Sequence, residues 1–235
     1  MPRKVNVRID GQYVAASEGQ SLLEAARANG KRISAFCYML GLTLVGACRL
    51  CLVEVVGVSR LLPACTTPVQ EGLAVTTASP RLLAHRKIAL ELLFSERNHV
   101  CAVCVSSGHC ELQALARELG VTHVRYPYRY PRLPVDASHP RFVLDHNRCI
   151  LCTRCVRVCA EVEGAHVWDV AGRGVQSILV SELQRPWGEA RTCTSCGKCV
   201  TACPTGAMAE KGRAKGEMVK HPEALVRLAA ARAVR

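Results

Sequence analysis

Large aromatic side chains are scarce in this sequence. Phe, Trp and Tyr make up 4% of its 235 positions. That leaves little ring material for a conventional core and no series of platforms on which nucleic-acid bases could stack. The sequence also lacks any run of about eighteen consecutive apolar residues, so no membrane-spanning helix is expected. It opens MPRKVNVRID without an apolar signal core, and the expected location is the cytoplasm. No G-x-x-x-x-G-K-[ST] loop occurs. Gly172-Arg173-Gly174 reads as a turn, because the third glycine and the strand–turn–helix context of a dinucleotide fingerprint are missing. No paired-carboxylate or Ser/His/Asp constellation is recognisable, so no catalytic residue is assigned. Acidic residues are few: 19 Asp and Glu face 31 Lys and Arg, a formal net charge of +12. The basic residues are scattered, and without stacking aromatics they do not make a nucleic-acid surface.

Cysteine, by contrast, is abundant, at 15 residues. An odd, high count in a chain expected in a reducing compartment is poorly read as a disulfide scaffold and points to metal ligation. Cys149, Cys152, Cys155 and Cys159 are spaced C-x2-C-x2-C-x3-C. Cys193, Cys196, Cys199 and Cys203 repeat that spacing, followed by Pro204. This is the pattern of two-cluster bacterial ferredoxins, in which the fourth cysteine of each run ligates the other cluster. One 4Fe–4S cluster is therefore expected on Cys149, Cys152, Cys155 and Cys203, and a second on Cys193, Cys196, Cys199 and Cys159. Zinc is the alternative, but structural zinc sites pair separated C-x2-C knuckles, which four cysteines in so short a run do not suit. Ala160 stands where the second run has proline and leaves every ligand intact.

The remaining cysteines form two further sets. Cys37, Cys48, Cys51 and Cys65 lie near the N-terminus. Cys101, Cys104 and Cys110 form C-x2-C-x5-C, one ligand short of a cubane. A neutral imidazole could complete that set: His99 is the first choice and His109, beside Cys110, the second. One histidine and all 15 cysteines would close an inventory of four clusters. Oxidised clusters would bring about −7, lowering the net charge to about +5. The surplus Arg and Lys would then offset cluster charge and meet acidic partner surfaces.

Secondary-structure signals organise the chain around these sets. Val5, Val7 and Ile9 alternate as in a half-buried strand, Asp10-Gly11 signals a hairpin, and Tyr13 to Ala15 is the return strand. Gln20 to Asn29 is a helix stopped at Gly30. Leu52 to Val58 and Leu73 to Thr77 read as strands. Ser79-Pro80 opens a helix over 81–95, and Glu111 to Leu119 forms another. Residues 122–140 hold four of the eleven prolines and three of the five tyrosines, as an extended linker would. Val167 to Val170 and Val175 to Val180 are short β-prone pieces. Pro222 opens a tail helix, with Leu225, Leu228 and Ala229 on one side and Arg227, Arg232 and Arg235 towards its end. That helix could pack on its own body or dock on a partner.

Together with the strand–strand–helix order before it, the Cys37 set resembles the 2Fe–2S β-grasp ferredoxin domain of respiratory complex I's large peripheral subunit. NHVCAVC resembles the His/Cys-ligated 4Fe–4S site of complex I and iron-only hydrogenases, although there the histidine stands four residues before the first cysteine, a position held here by Arg97. The whole arrangement, with GACRLCLVEV, DHNRCILCTRCVRVC, GAHVWDVAGRG and TCTSCGKCVTACPTGA, is most similar to the diaphorase gamma subunits of soluble NAD-reducing NiFe hydrogenases. The resemblance implies an α+β chain of five parts. These are a 2Fe–2S β-grasp domain at 1–78, a small helical His/Cys cluster domain at 79–121, the linker at 122–140, a two-cluster ferredoxin-like domain at 141–210 and the tail at 211–235. It implies one 2Fe–2S cluster on Cys37, Cys48, Cys51 and Cys65, and three 4Fe–4S clusters. It further implies an oxidoreductase subunit with no substrate-converting site of its own. Single electrons would pass between a partner that binds FMN and NAD and hydrogenase small and large subunits that carry the NiFe centre. The alternatives are a relay in an NAD-dependent formate dehydrogenase or complex I-like enzyme, and a zinc-dependent interaction scaffold.

Overall fold

In the computed structural model, residues 3–218 and 222–232 are described. The chain divides into two compact units. The first takes the chain up to Tyr38 and again from Leu44 to Ala89; the second takes Met39–Thr43 and the chain from Leu90 onward. Together they give an α+β protein with a five-stranded, a three-stranded and a two-stranded sheet.

The first unit is a mixed sheet with one helix on it. Strand β1 (Lys4–Ile9) alternates strictly between exposed and buried positions, the period-2 signature of one buried face. It turns at Asp10 and Gly11, both at positive φ, and pairs antiparallel with β2 (Gln12–Ser17) in the register Ile9↔Gln12. Helix α1 (Leu22–Ala28) starts at Ser21, whose hydroxyl accepts from Glu24 N–H while the Glu24 carboxylate accepts from Ser21 N–H. This capping box fixes where the helix begins. Leu22, Leu23, Ala25 and Ala26 then face Val5, Val7, Ile9, Val53 and Val75 in the core. The rest of the sheet is β3 (Leu52–Val55), β4 (Val58–Pro63) and β5 (Ala74–Thr76), in the order β2-β1-β5-β3-β4, with β1 and β5 parallel. The single strand expected over Leu52 to Val58 is instead a hairpin that turns at Val56 and Gly57, the latter at φ 82°. Arg86 is buried and donates to the carbonyls of Leu50, Leu52 and Thr77. It thereby holds the segment that leaves Cys51.

Helix α2 (Pro80–Glu96) runs from one unit into the other. In the second unit, α3 (Glu111–Glu118) buries Leu112, Leu115 and Ala116. Strands β6 (Val135–Asp136), β7 (Phe142–Asp145) and β10 (Met208–Glu210) form one sheet, and β8 (Trp168–Ala171) and β9 (Ile178–Ser181) the other. The expected strand over Val175 to Val180 begins only at Ile178, because Gly174–Gln176 is a 3-10 turn. The two cysteine runs give α4 (Arg154–Arg157), which continues as a π-helical turn over Val158–Glu163, and α5 (Lys198–Ala202). The tail helix α6 (Pro222–Arg232) packs on its own body: Leu225 and Ala229 are buried, and Arg232 donates to the Glu161 carbonyl. Arg235 lies outside the described residues. Among the described residues no helix is long and apolar enough to cross a membrane.

Candidate metal centres

Cys37, Cys48, Cys51 and Cys65 come together in the first unit. The Cys51 and Cys65 sulfurs lie 3.4 Å apart, and the Cys37 sulfur is in hydrogen-bonding contact with the thiols of Cys48 and Cys65. Donation from those two thiols pulls the Cys37 thiol far down, and the same contacts push Cys48 and Cys65 up. Backbone N–H groups of Cys48 and Ala47 also reach the Cys37 sulfur. They follow Gly46, whose φ of +60° turns the chain there. Gly41 belongs to the second unit, at φ +84°, where an added Cβ would meet the Ala229 Cβ at 2.6 Å.

The second unit holds three sets. A cavity is lined by His99, Cys101, Cys104 and Cys110, with Arg148, Thr205 and Gly206. The His99 Nε2 is buried and has no hydrogen-bond partner, while the ring's other nitrogen is bonded to the backbone of Leu93. Burial, Arg148 and Arg97 bring its pKa down to about 4. At neutral pH the ring is therefore uncharged, with a lone pair on the unpartnered nitrogen. That is the state a metal-bound histidine needs, and the far-side backbone bond is the kind that orients such a ring. His109 is exposed and does not line this cavity. Arg97 does not line it either; it donates to the Ser177 carbonyl at 2.6 Å.

A second cavity is lined by Cys149, Cys152, Cys155 and Cys203 among apolar side chains that include Ile150, Leu151, Leu179 and Met208. Burial pushes Cys149 up to about 11, Cys152 to about 12 and Cys155 well above its ordinary value, and the neighbouring Cys203 adds to each shift. The neighbours of Cys159 are Cys196 and Cys193, and those of Cys199 are Cys196, Cys159 and Cys193. Each run of three thus keeps company with the fourth cysteine of the other run.

The local backbone explains how eleven residues can aim three sulfurs inward. Leu151 and Thr153 flank Cys152 at positive φ, and Ser195 and Gly197 flank Cys196 in the same way. Left-handed backbone costs about 1–3 kcal/mol at each non-glycine position. Here Leu151 N–H donates to Cys149 Sγ at 3.4 Å. In the His99 site, Ser106 N–H donates to Cys104 Sγ at 3.5 Å. Cationic groups surround the sets. Buried Arg154 forks onto the Glu111 carboxylate at 2.7 and 3.0 Å. Arg157 donates to the Thr43 and Cys152 carbonyls, and Lys215 to those of Cys203 and Thr205.

The donor chemistry fits iron–sulfur clusters. Each set offers four soft sulfur donors, or three and one imidazole; backbone N–H groups approach sulfur; and the buried, unpartnered His99 Nε2 belongs to a ring that lines one cavity with three thiols. Sequence reasoning gave no role to Thr205, which lines both the His99 and the Cys149 cavities, or to Gly206, which lines the first, although both lie in the run TCTSCGKCVTACPTGA. An added Cβ at Gly206 would come within 2.7 Å of Cys104 Sγ and 3.0 Å of Ser106 Oγ. It also missed Trp168 and Trp187 beside the Cys193 set, for which the only signal was the rarity of tryptophan.

Fold and donor sets together define a multi-cluster iron–sulfur protein built from a 2Fe–2S domain and 4Fe–4S binding regions. Known families match in the same order: the 2Fe-2S iron-sulfur cluster binding domain at residues 2–80, the NADH-ubiquinone oxidoreductase-G iron-sulfur binding region at 86–125, and the ferredoxin-like domain of NADH-quinone oxidoreductase subunit 3 at 140–209. The chain belongs to the family of oxidoreductase iron–sulfur subunits that includes the gamma subunit of NAD-reducing hydrogenase HoxS from Cupriavidus necator, to which it is 35% identical over 88% of its own length and 87% of that subunit. It is 36% identical to the NADPH-Fe(3+) oxidoreductase subunit alpha of Geobacter sulfurreducens, but there the match spans 24% of the relative's length. A chain in the crystal structure of an NAD+-reducing [NiFe]-hydrogenase in the H2-reduced state superposes with a TM-score of 0.85 at 36% identity, over 92% of this chain and 91% of that one.

Proposed function

We propose that this chain is the iron–sulfur relay of a hydrogen:NAD oxidoreductase and carries one 2Fe–2S and three 4Fe–4S clusters. Cys37, Cys48, Cys51 and Cys65 hold the first. His99 with Cys101, Cys104 and Cys110, Cys149 with Cys152, Cys155 and Cys203, and Cys193 with Cys196, Cys199 and Cys159 hold the others. When bound, the clusters supply one-electron redox chemistry. The protein supplies ligands, spacing, charge compensation and insulation. No catalytic residue is assigned to the chain. Hydride exchange with NAD through FMN belongs to one partner subunit, and hydrogen splitting at a NiFe centre to others. The setting is the cytoplasm.

One observation carries the relay reading. The three sites of the second unit are consecutive: Thr205 lines both the His99 and the Cys149 cavities, and Cys155 of the second site has Cys199 of the third among its charged neighbours. The middle site is the most enclosed. Cys149, Cys152 and Cys155 are buried, whereas the thiols of the His99 site are half-buried and Cys196 is exposed. A chain of sites sealed in the middle and open at both ends suits charge entering at one end and leaving at the other.

Metal analysis of the complex purified without oxygen tests this. About fourteen irons per chain are expected, with little zinc. Co-purification should bring a flavin subunit and a nickel subunit. Zinc-dominated material without charge-transfer absorbance would leave only a scaffold, and molybdenum in place of nickel would move the chain to a formate dehydrogenase-type complex.

A further inference from the structure

Both tryptophans of the chain stand against the Cys193 set. Trp187 is 1% exposed and Trp168 5%. The Trp187 indole Nε1–H donates to Cys193 Sγ at 3.4 Å, and the Trp168 indole donates to the Cys199 sulfur. Neither ring can swing away easily. The two indoles meet edge to face at 4.8 Å and 71°. Phe142 stacks on Trp187 at 5.5 Å and 18°, and His139 lies 4.9 Å from it. The Trp187 backbone N–H is fixed to Asp136 Oδ2 at 2.7 Å. An indole N–H is a donor only, so a buried one needs an acceptor. Here the acceptors are cluster-site sulfurs. The Cys149 cavity holds no indole: besides its cysteines its lining is aliphatic apart from Thr153 and Thr205, Thr205 Oγ1 lies 3.7 Å from Cys203 Sγ, and Cys149 receives a backbone N–H from Leu151.

We infer that Trp187, seconded by Trp168, raises the reduction potential of the cluster held by Cys193, Cys196, Cys199 and Cys159. The inference rests on that ligand set. Reduction brings in one electron from a one-electron donor such as the neighbouring cluster; no bond forms or breaks and no proton moves. The added charge is shared with the thiolate sulfurs. A fixed N–H···S bond strengthens as the sulfur becomes more negative, so the reduced state gains more than the oxidised one. Trp187 is thus a positioning residue for charge, and an aliphatic substitute would fill space without that effect.

The test is a redox titration of the intact complex followed by EPR, with wild type, Trp187→Phe and Trp168→Phe compared at matched iron content. Phenylalanine keeps a ring in the stack and removes the donor. The expected result is a shift of one cluster's midpoint to more negative potential in Trp187→Phe, a shift of the same sign in Trp168→Phe, and no movement of the other clusters. An unmoved midpoint in Trp187→Phe at full iron content overturns the inference. If Trp187→Phe loses iron, Trp168→Phe carries the test, and an unmoved midpoint there overturns it. Failure of the ligand reading shows separately, as Cys193→Ser leaving both iron content and spectrum unchanged.

Discussion

The two cysteine runs of the second unit share one spacing but differ in three dimensions. Both set a cysteine between two left-handed residues, Leu151 and Thr153 in the first run, Ser195 and Gly197 in the second. From there they part. The first run continues past Cys159 into a π-helical turn that reaches Glu163, which Ala160 permits. The second ends its helix at Ala202, and Pro204, lacking an N–H, cannot extend it. All four cysteines of the first run are buried, whereas in the second run Cys196 is exposed. Ligand spacing therefore fixes the kind of site but not how deeply each cysteine lies.

The sharpest way to break this comparison is Cys203→Ser. Although Cys203 closes the second run, it lines the cavity of the first. The variant should perturb the cluster of Cys149, Cys152 and Cys155 and lower the iron content by up to about four per chain. A disturbance confined to the Cys193 cluster, seen by EPR, would reverse the crossed assignment.

His99→Ala comes next, because it asks whether a third site obeys the same logic with a different donor. Loss or alteration of one 4Fe–4S EPR signal is expected, with His109→Ala silent.

How much of this was legible in the sequence follows from the same residues. The ligand-bearing spacings, the β1–β2 hairpin at Asp10-Gly11 and the helix expected over Gln20 to Asn29 are local, and the structure keeps them, with α1 trimmed to Leu22–Ala28 by its Ser21 cap. The hairpin at Val56-Gly57 was hidden because the apolar residues on either side read as one strand. The choice between His99 and His109 depends on which ring reaches the cavity from the end of α2, and no spacing encodes that. The two tryptophans lie nineteen positions apart and meet only because β8 and the turn after β9 fold onto the same cysteines. Such long-range convergence leaves no periodic mark on the chain.

The smallest effect expected is at Gly206, in the lining of the His99 site. Gly206→Ala places a methyl where Cys104 Sγ and Ser106 Oγ already stand, 2.7 and 3.0 Å away. Neither neighbour is the loose end of a long side chain, so the wall itself has to shift, at about 1–3 kcal/mol. Thermal unfolding should register that loss. The strain falls on the Cys104 side, so the EPR line shape of the His99 cluster should change while the Cys193 cluster stays as it is. Equal changes at all three clusters would mean that the strain is not local and that the second unit deforms as a whole.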